Sequence, residues 1–484
     1  MKNECLNNHQ SIILLLIALL MIVLSFIRLF DNNFWGDECY TIVLNEKSYL
    51  DIFIYEGEND VHPPLYHLIS KLFCDIFGYT DWAYHLSSFI PFVILIVLTI
   101  TVFRKDFGFA PTLLLLICLA ILPSSVKYSV EARMYEWAML FMFCVLMSAY
   151  HFLRDRSASS QVCLVIFGVL AAYTHLYCLI ILAMIYLALV IAEIKTNKEL
   201  IKSTLFCGFM TLICYIPWIA EVLSAVNRVS EGYWQQTVPS FINITGYLFG
   251  SPHMFAASLG LTILIVAVLT HDIWKRKGNG DNRLLKVKGE NHYEKTVLVW
   301  IVIFSLFATL AIGYITSAVM RPVFLERYIY AITIGLWISL GLCISRFKKK
   351  EYLYAAVIAI ILIFAVPITV EQLNENAEQN KETENFLDLT SDISEGDTIF
   401  TDNASLTWMV LEYYYPETED VLFTDASDFP DIPESKQSWL FLEESLTEDL
   451  KTEIESQGYT ATTIVEDTYL SEYKTWAYRL DETA

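Results

Sequence analysis

Apolar residues fill the first 370 positions in long blocks, and polar residues collect in short gaps between them. Blocks near 11–30, 84–103, 110–126, 134–153, 161–174, 177–194, 203–221, 254–272, 297–318, 328–345 and 352–370 each predict a helix in hydrocarbon. The stretch from Val162 to Ile194 needs a decision. As one helix it would be roughly 50 Å long, too long for a single crossing of a core of about 30 Å. Arg154 and Arg156 precede it, and Lys195, Lys198 and Lys202 follow it. If basic loops stay inside, both flanks are inside and the run is a tight hairpin turning at Tyr173-Thr174-His175. Residues 64–78 are apolar but short and read as an interfacial helix. The first block lacks an A-x-A site and reads as an uncleaved anchor.

This gives eleven crossings, and the charges check it. The inner segments 1–10, 104–108, 154–160, 193–203, 272–295 and 346–351 hold 19 Lys and Arg, against 8 in the rest of residues 1–370. That asymmetry predicts a multi-pass protein of the plasma membrane. Its amino terminus is cytoplasmic, and residues 31–83 and the C-terminal tail are extracytoplasmic.

Beyond residue 370 the pattern changes. A polar helical stretch runs to about Thr390, followed by strand patterns at 396–403, 421–425, 438–444, 461–465 and 473–480, with helices at 404–415 and 446–456. Such alternation predicts a small α/β domain. The fold class is therefore a polytopic α-helical membrane protein with a small C-terminal α/β domain, divided into 1–370 and 371–484. The tail carries 29 Asp and Glu against 5 Lys and Arg, while the body is nearly neutral. This acidity argues against nucleic acid as a partner. No glycine-rich phosphate loop, nucleophile elbow or metal motif is present in the tail, which reads as an accessory domain. None of the ten cysteines lies there, so no disulfide framework supports it; Cys39 and Cys74 are candidates for a pair.

On this topology the unusual polar clusters gather on the outer face. They are Asp37 and Glu38, Asp60 and His62, KYSVEARMY at 127–135, His175, the loop 222–252, and RPVFLERY at 321–328. Pro63 and Pro64 push His62 out of the α region and let a helix begin at Leu65. An arginine at a membrane boundary snorkels or meets an anion, and snorkelling alone would account for Arg28, Arg133 and Arg321. Several arginines on one face favour a phosphate-bearing ligand, because guanidinium pairs bidentately with phosphate. Loop 222–252 carries a Gln235-Gln236 pair beside Tyr233 and Trp234, and these aromatics read as interfacial anchors before sugar platforms. Asp37, Asp60 and His62 offer an alternative as ligands of a divalent cation.

Four short motifs occur in order between the apolar runs: WGDE at 35–38, D-x-HPPLY at 60–66, YSVEARMY at 128–135 and ERY at 326–328. Together they resemble the GT-C membrane glycosyltransferases, in particular the bacterial protein-mannosyltransferase-like group that includes lipid A aminoarabinose transferases. The resemblance covers about residues 10–370. It implies a polyprenyl-phosphate-linked sugar as donor and an envelope lipid, polymer or protein as acceptor, with no cofactor required. It also implies Asp37 as the base. Some members carry Lys where this chain has His62, so a permanent cation is replaced by a titratable one. Moving a sugar off a lipid phosphate needs a base for the acceptor proton and a cationic cradle for the departing phosphate. Arg133 and Arg327 are the expected phosphate ligands, with His62 and Lys127 as weaker additions. Glu38 either orients Asp37 or binds sugar hydroxyls; Asp60, Glu131, Tyr135, His175 and Tyr328 are expected to line the substrate. Two other classes compete with this enzyme. A transporter or flippase would place ionisable residues at mid-membrane, where few occur. A non-catalytic envelope sensor or scaffold would keep the motifs without turnover.

Overall fold

The structure, a computed structural model, describes every residue except 1, 32, 61, 195–200, 232–236, 279–291, 408, 435 and 484. Its contacts divide the chain into two compact units, Met1–Leu29 with Tyr49–Val370, and Phe30–Ser48 with Glu371–Ala484.

In chain order the helices up to the tail are α1 (Lys2–Ile27), α2 (Gly36–Asn45), α3 (Tyr49–Asn59), α4 (Leu65–Phe77), α5 (Asp81–Leu98), α6 (Arg104–Phe107), α7 (Phe109–Ile121) and α8 (Pro123–Tyr128). There follow α9 (Tyr135–Asp155), α10 (Ala158–Thr174), α11 (Leu176–Ile194), α12 (Ile201–Glu231), α13 (Phe241–Tyr247), α14 (Phe255–Gly278), α15 (His292–Val319), α16 (Tyr330–Ile344) and α17 (Lys350–Leu389). Among the described residues nine helices are long and apolar enough to cross a membrane, and Phe109–Ile121 and Ala158–Thr174 are shorter apolar helices. These eleven fall on the eleven apolar runs of the sequence. The Val162–Ile194 run breaks at one residue, His175, which is extended between α10 and α11.

Composition decides which helices are central to the first unit. α9 and α16 are apolar on every side and almost wholly buried, as expected for helices surrounded by others. α1, α12 and α17 expose Leu16, Leu19, Ile216 and Ile363, the pattern of helices facing lipid. α4 is amphipathic, burying Tyr66, His67, Ser70, Lys71 and Cys74 while exposing Leu72, Ile76 and Phe77.

The second unit contains a five-stranded sheet in the order β2-β1-β3-β5-β4, from β1 (Thr398–Thr401), β2 (Glu419–Leu422), β3 (Ser438–Leu442), β4 (Tyr459–Leu470) and β5 (Tyr473–Glu482). β1 pairs in parallel with β2 and β3, while β5 lies antiparallel between β3 and β4. β1 and β3 are buried along their whole length, in keeping with the apolar Ile399-Phe400 and Trp439–Leu442 that they carry. The helix expected over 404–415 is two short pieces, α18 (Ala404–Thr407) and α19 (Val410–Tyr414), because Met409 takes a left-handed φ of 68°. α20 (Glu448–Ser456) begins at Thr447, whose side chain accepts from the Leu450 N–H.

One boundary differs from the sequence reading, which placed all of residues 31–83 in the membrane body. The contacts divide that stretch at Ser48/Tyr49, and Phe30–Ser48 groups with the tail. The reason is local. The Phe34 ring meets Tyr413 edge-on at 5.5 Å, its N–H donates to the Tyr414 hydroxyl at 3.3 Å, and its carbonyl accepts from Ser471 Oγ at 2.6 Å. Gly36 lies so close to Tyr473 that a Cβ there would stand 2.9 Å from the phenol oxygen.

Cys39, fully buried in this unit, reports on the packing. Burial pushes its thiol well above the ordinary range, with Glu38 and Glu472 adding to the effect. In a variant keeping only Cys39, truncation after Val370 is expected to raise its rate of maleimide labelling at least about tenfold, by removing the protective packing. Equal rates in the full and truncated chains would show that segment 30–48 folds without the tail.

Candidate functional site

The first unit builds its polar centre on the irregular backbone between α7 and α9. Leu122 is extended, Pro123 opens α8, and the Ser124 N–H donates to the Gly250 carbonyl at 3.0 Å. Gly250 has φ 101°, and a Cβ there would meet Pro123 at 2.9 Å, so only glycine allows this approach. After α8 the chain turns through Ser129–Met134. His85 Nδ1 contacts the Val130 carbonyl at 2.8 Å, and Ser88 Oγ donates to the Arg133 carbonyl at 3.1 Å. The Arg133 N–H donates to the Glu131 carbonyl at 2.6 Å. The Arg28 guanidinium donates to the Val126 carbonyl, so Arg28 supports this segment rather than merely snorkelling.

Glu131 and Arg133 are each only 4% exposed, although both carry charge. Lys127 is partly buried and pairs with Glu131 at 3.4 Å. Around them stands a shell of rings. His62 and His175 have centroids 4.6 Å apart, and Tyr328 lies 5.9 Å from the first and 5.2 Å from the second. Tyr135 lies 6.1 Å from His175. The Tyr128 and Tyr247 hydroxyls are hydrogen-bonded at 2.8 Å.

The electrostatics show that the cations converge. Burial holds His175 well below the usual imidazole range, and the fields of His62, Arg133 and Arg327 push it further. Burial does the same to His67, with Arg133 and His62 adding to it. Tyr128 is pushed up by burial, Tyr247 and Glu131, and Arg327 opposes the shift. His62, Arg133, Arg327, Tyr135, His175 and Tyr328 thus belong to one cluster. Arg321, in the same sequence motif as Arg327, is exposed.

Asp37 and Glu38 belong to the second unit, in the first turn of α2, where unpaired backbone N–H groups favour negative charge. Glu38 is 5% exposed, and its carboxylate accepts from the Trp35 N–H at 3.4 Å, capping its own helix. Asp37 is half-buried; its carbonyl accepts from Thr41 Oγ1, and its charge helps to raise the Tyr473 phenol.

Asp60 keeps different company from that expected. Its carboxylate accepts from the His62 N–H at 3.3 Å, and its carbonyl accepts from Arg228 at 2.7 Å. Among the described residues, Glu56, Asp60 and His67 have ligand atoms close enough together for a cation. Cys39 and Cys74 are both free, buried thiols. The sequence reading overlooked Glu136, fully buried in the first turn of α9 and accepting from the Tyr330 hydroxyl at 3.0 Å. Its signal was an acid directly beside Tyr135 in an apolar run. Tyr233, Trp234, Gln235 and Gln236 lie outside the described residues.

The depressed basicity of His175 has a sign that can be checked. Its folded value lies below the unfolded one, so it contributes no penalty above about pH 6.5. As pH falls from there towards the lowered folded value, the unfolded state takes up the proton first and stability is lost. His175→Gln is expected to flatten the fall in Tm between pH 7 and pH 5, measured on the detergent-solubilised protein. An unchanged slope would mean that His175 is not held neutral.

Residues 61–220 match the family model described as dolichyl-phosphate-mannose-protein mannosyltransferase. That segment contains His62, Lys127, Glu131, Arg133, Tyr135 and His175, and excludes Asp37 and Arg327. The structure of ArnT from Cupriavidus metallidurans in the apo state aligns with a TM-score of 0.64 at 11% identity, covering 98% of each chain. The same protein bound to undecaprenyl phosphate aligns with a TM-score of 0.60 at 12% identity, over 97% of each chain. No curated protein sequence matches the chain. The chain is thus a multi-pass helical protein with the GT-C fold of membrane glycosyltransferases.

Proposed function

We propose that this protein is an integral-membrane glycosyltransferase that moves a sugar from a polyprenyl-phosphate donor to an acceptor on the outer face of the membrane. The observation that carries this reading is the convergence of Arg133, Arg327 and His62 on one ring-lined cluster around His175. Cations held together partly out of water repel one another, and an anion among them relieves that cost. A phosphate fits best, since two guanidinium groups offer forked donors matched to its oxygens. The similar fold of an ArnT solved with undecaprenyl phosphate supports a lipid phosphate as the source. The proposed topology keeps the amino terminus cytoplasmic and the C-terminal domain extracytoplasmic.

In the reaction, the acceptor hydroxyl or amine gives its proton to the Asp37 carboxylate. Its freed electron pair forms a bond to the sugar's anomeric carbon. The bond from that carbon to the phosphate oxygen breaks on the opposite face, and the lipid phosphate leaves with the electron pair. A single displacement of this kind inverts the anomeric configuration. Arg133 and Arg327 stabilise charge as it develops on the phosphate, with His62 as a third donor. Lys127 is the weakest candidate, because Glu131 already neutralises it. Glu38 is a positioning residue: by capping α2 it fixes the turn that carries Asp37. Tyr135, His175 and Tyr328 supply ring faces for the donor.

The test is sugar transfer from polyprenyl phosphate in reconstituted vesicles, with donor binding measured in parallel. Asp37→Asn is expected to lower turnover by roughly 10²–10⁴ and leave donor binding intact. Arg133→Ala and Arg327→Ala are expected to weaken donor binding too, with Arg→Lys rescuing only part. Near-normal transfer by Asp37→Asn would remove it as the base.

A further inference from the structure

The end of α3 and the start of α4 hold a second polar cluster, separate in its side chains from the phosphate-directed cations. Glu56 and Asp60 stand four residues apart, one helical turn, so both project from one side at the end of α3. His67 lies in the first turn of α4, after the Pro63-Pro64 corner. One ligand atom from each lies within 4.8 Å of the other two. His67 Nε2 stands 3.7 Å from Glu56 Oε1, beyond hydrogen-bond length, and both side chains are fully buried. Donors bound to one zinc ion at about 2.0–2.2 Å and spread tetrahedrally stand about 3.4 Å apart, close to this separation.

We propose that Glu56, Asp60 and His67 form a binding site for a divalent transition-metal ion, with Zn²⁺ or Mn²⁺ as the fitting class. Two carboxylates and one imidazole give a hard-to-borderline donor set that suits these ions. Two negative charges balance the ion, and they also offset the nearby positive charge of Arg133 and His62, both of which act on His67. Glu56 and His67 are fully buried, and half-buried Asp60 closes the third side from the loop. The Asp60 carboxylate also accepts from the His62 N–H, so the ion would tie α3 to α4 across the residue that carries the His62 imidazole. Its role is positional: no bond of the proposed transfer is made or broken on it.

The test uses the full-length protein in detergent and does not depend on turnover. After stripping with a chelator, the protein is titrated with Zn²⁺ and Mn²⁺ separately, and bound metal and Tm are read. Saturable uptake of one equivalent is expected, with a rise in Tm of at least about 3 °C. Asp60→Asn, at the half-buried position least able to upset folding, is expected to weaken that uptake at least tenfold. Glu56→Gln with His67→Gln is expected to abolish it. The Tm of the stripped Asp60→Asn protein serves as the folding control. No saturable uptake by the unsubstituted protein, or uptake unchanged in Asp60→Asn, overturns the proposal. Metal binding without sugar transfer would count against the glycosyltransferase reading alone, and transfer without metal binding against this site alone.

Discussion

Backbone N–H and C=O groups find no water in hydrocarbon, and this constraint governs the first unit. Its long apolar runs satisfy the rule by being helical nearly end to end. Among the described residues, irregular pieces include those between α7 and α9, at His175, at 237–240 and between α15 and α16. Side chains from neighbouring elements serve their exposed carbonyls. Trp337 Nε1 donates to the Leu248 carbonyl at 3.0 Å, the Tyr314 hydroxyl to Pro239 at 2.8 Å, and Ser88 to Arg133. Each such bond contributes about 0.5–1.5 kcal/mol net, and a buried group left without one costs about 1–3 kcal/mol. The irregular backbone is therefore fixed, and the side chains it carries are fixed with it.

That rigidity matters for the cations. Arg133 and Arg327 are far apart in sequence and lie on non-helical backbone or a single 3-10 turn, where the chain can aim a side chain inward. A flexible loop would let the guanidinium groups swing into water and relax their mutual repulsion. Here Arg133 is buried and Arg327 half-buried, and the charges of both act on His175. Electrostatic stabilisation is strongest when donors are already oriented before charge develops, since no reorganisation is then needed.

Much of this was legible in the sequence because it depends on composition or short spacing. The eleven apolar runs needed only residue type, and the turn at His175 needed only the basic residues flanking a run too long for one crossing. YSVEARMY was conspicuous because acids and bases inside an apolar context are costly. What stayed hidden depends on contacts between distant positions. Glu136 and Tyr330 are separated by 194 residues and Phe34 and Ser471 by 437, and no periodicity announces either pair. Glu56 and His67 read as ordinary polar positions until the Pro63-Pro64 corner brings their helices together. The capping role of Glu38 was readable from its place three residues after Trp35, but a pair of adjacent carboxylates drew attention to chemistry instead.

The grouping of residues 30–48 with the tail changes what the tail is for. α2 has ten residues, fewer than an isolated helix needs to hold together in water. Its persistence therefore depends on tertiary packing, and Tyr413, Tyr414, Ser471 and Tyr473 supply it. These come from two separate parts of the tail, α19 and the β4–β5 turn, which are positioned only when the sheet itself is formed. A carboxylate acting as a base must be held within a fraction of an ångström of its productive place. A domain that read as an accessory by its own motifs is thus the scaffold of the WGDE turn. Its lack of any catalytic signature is then what such a role predicts: Asp37, the base proposed above, lies in the segment that packs on the domain, not in the domain's own chain.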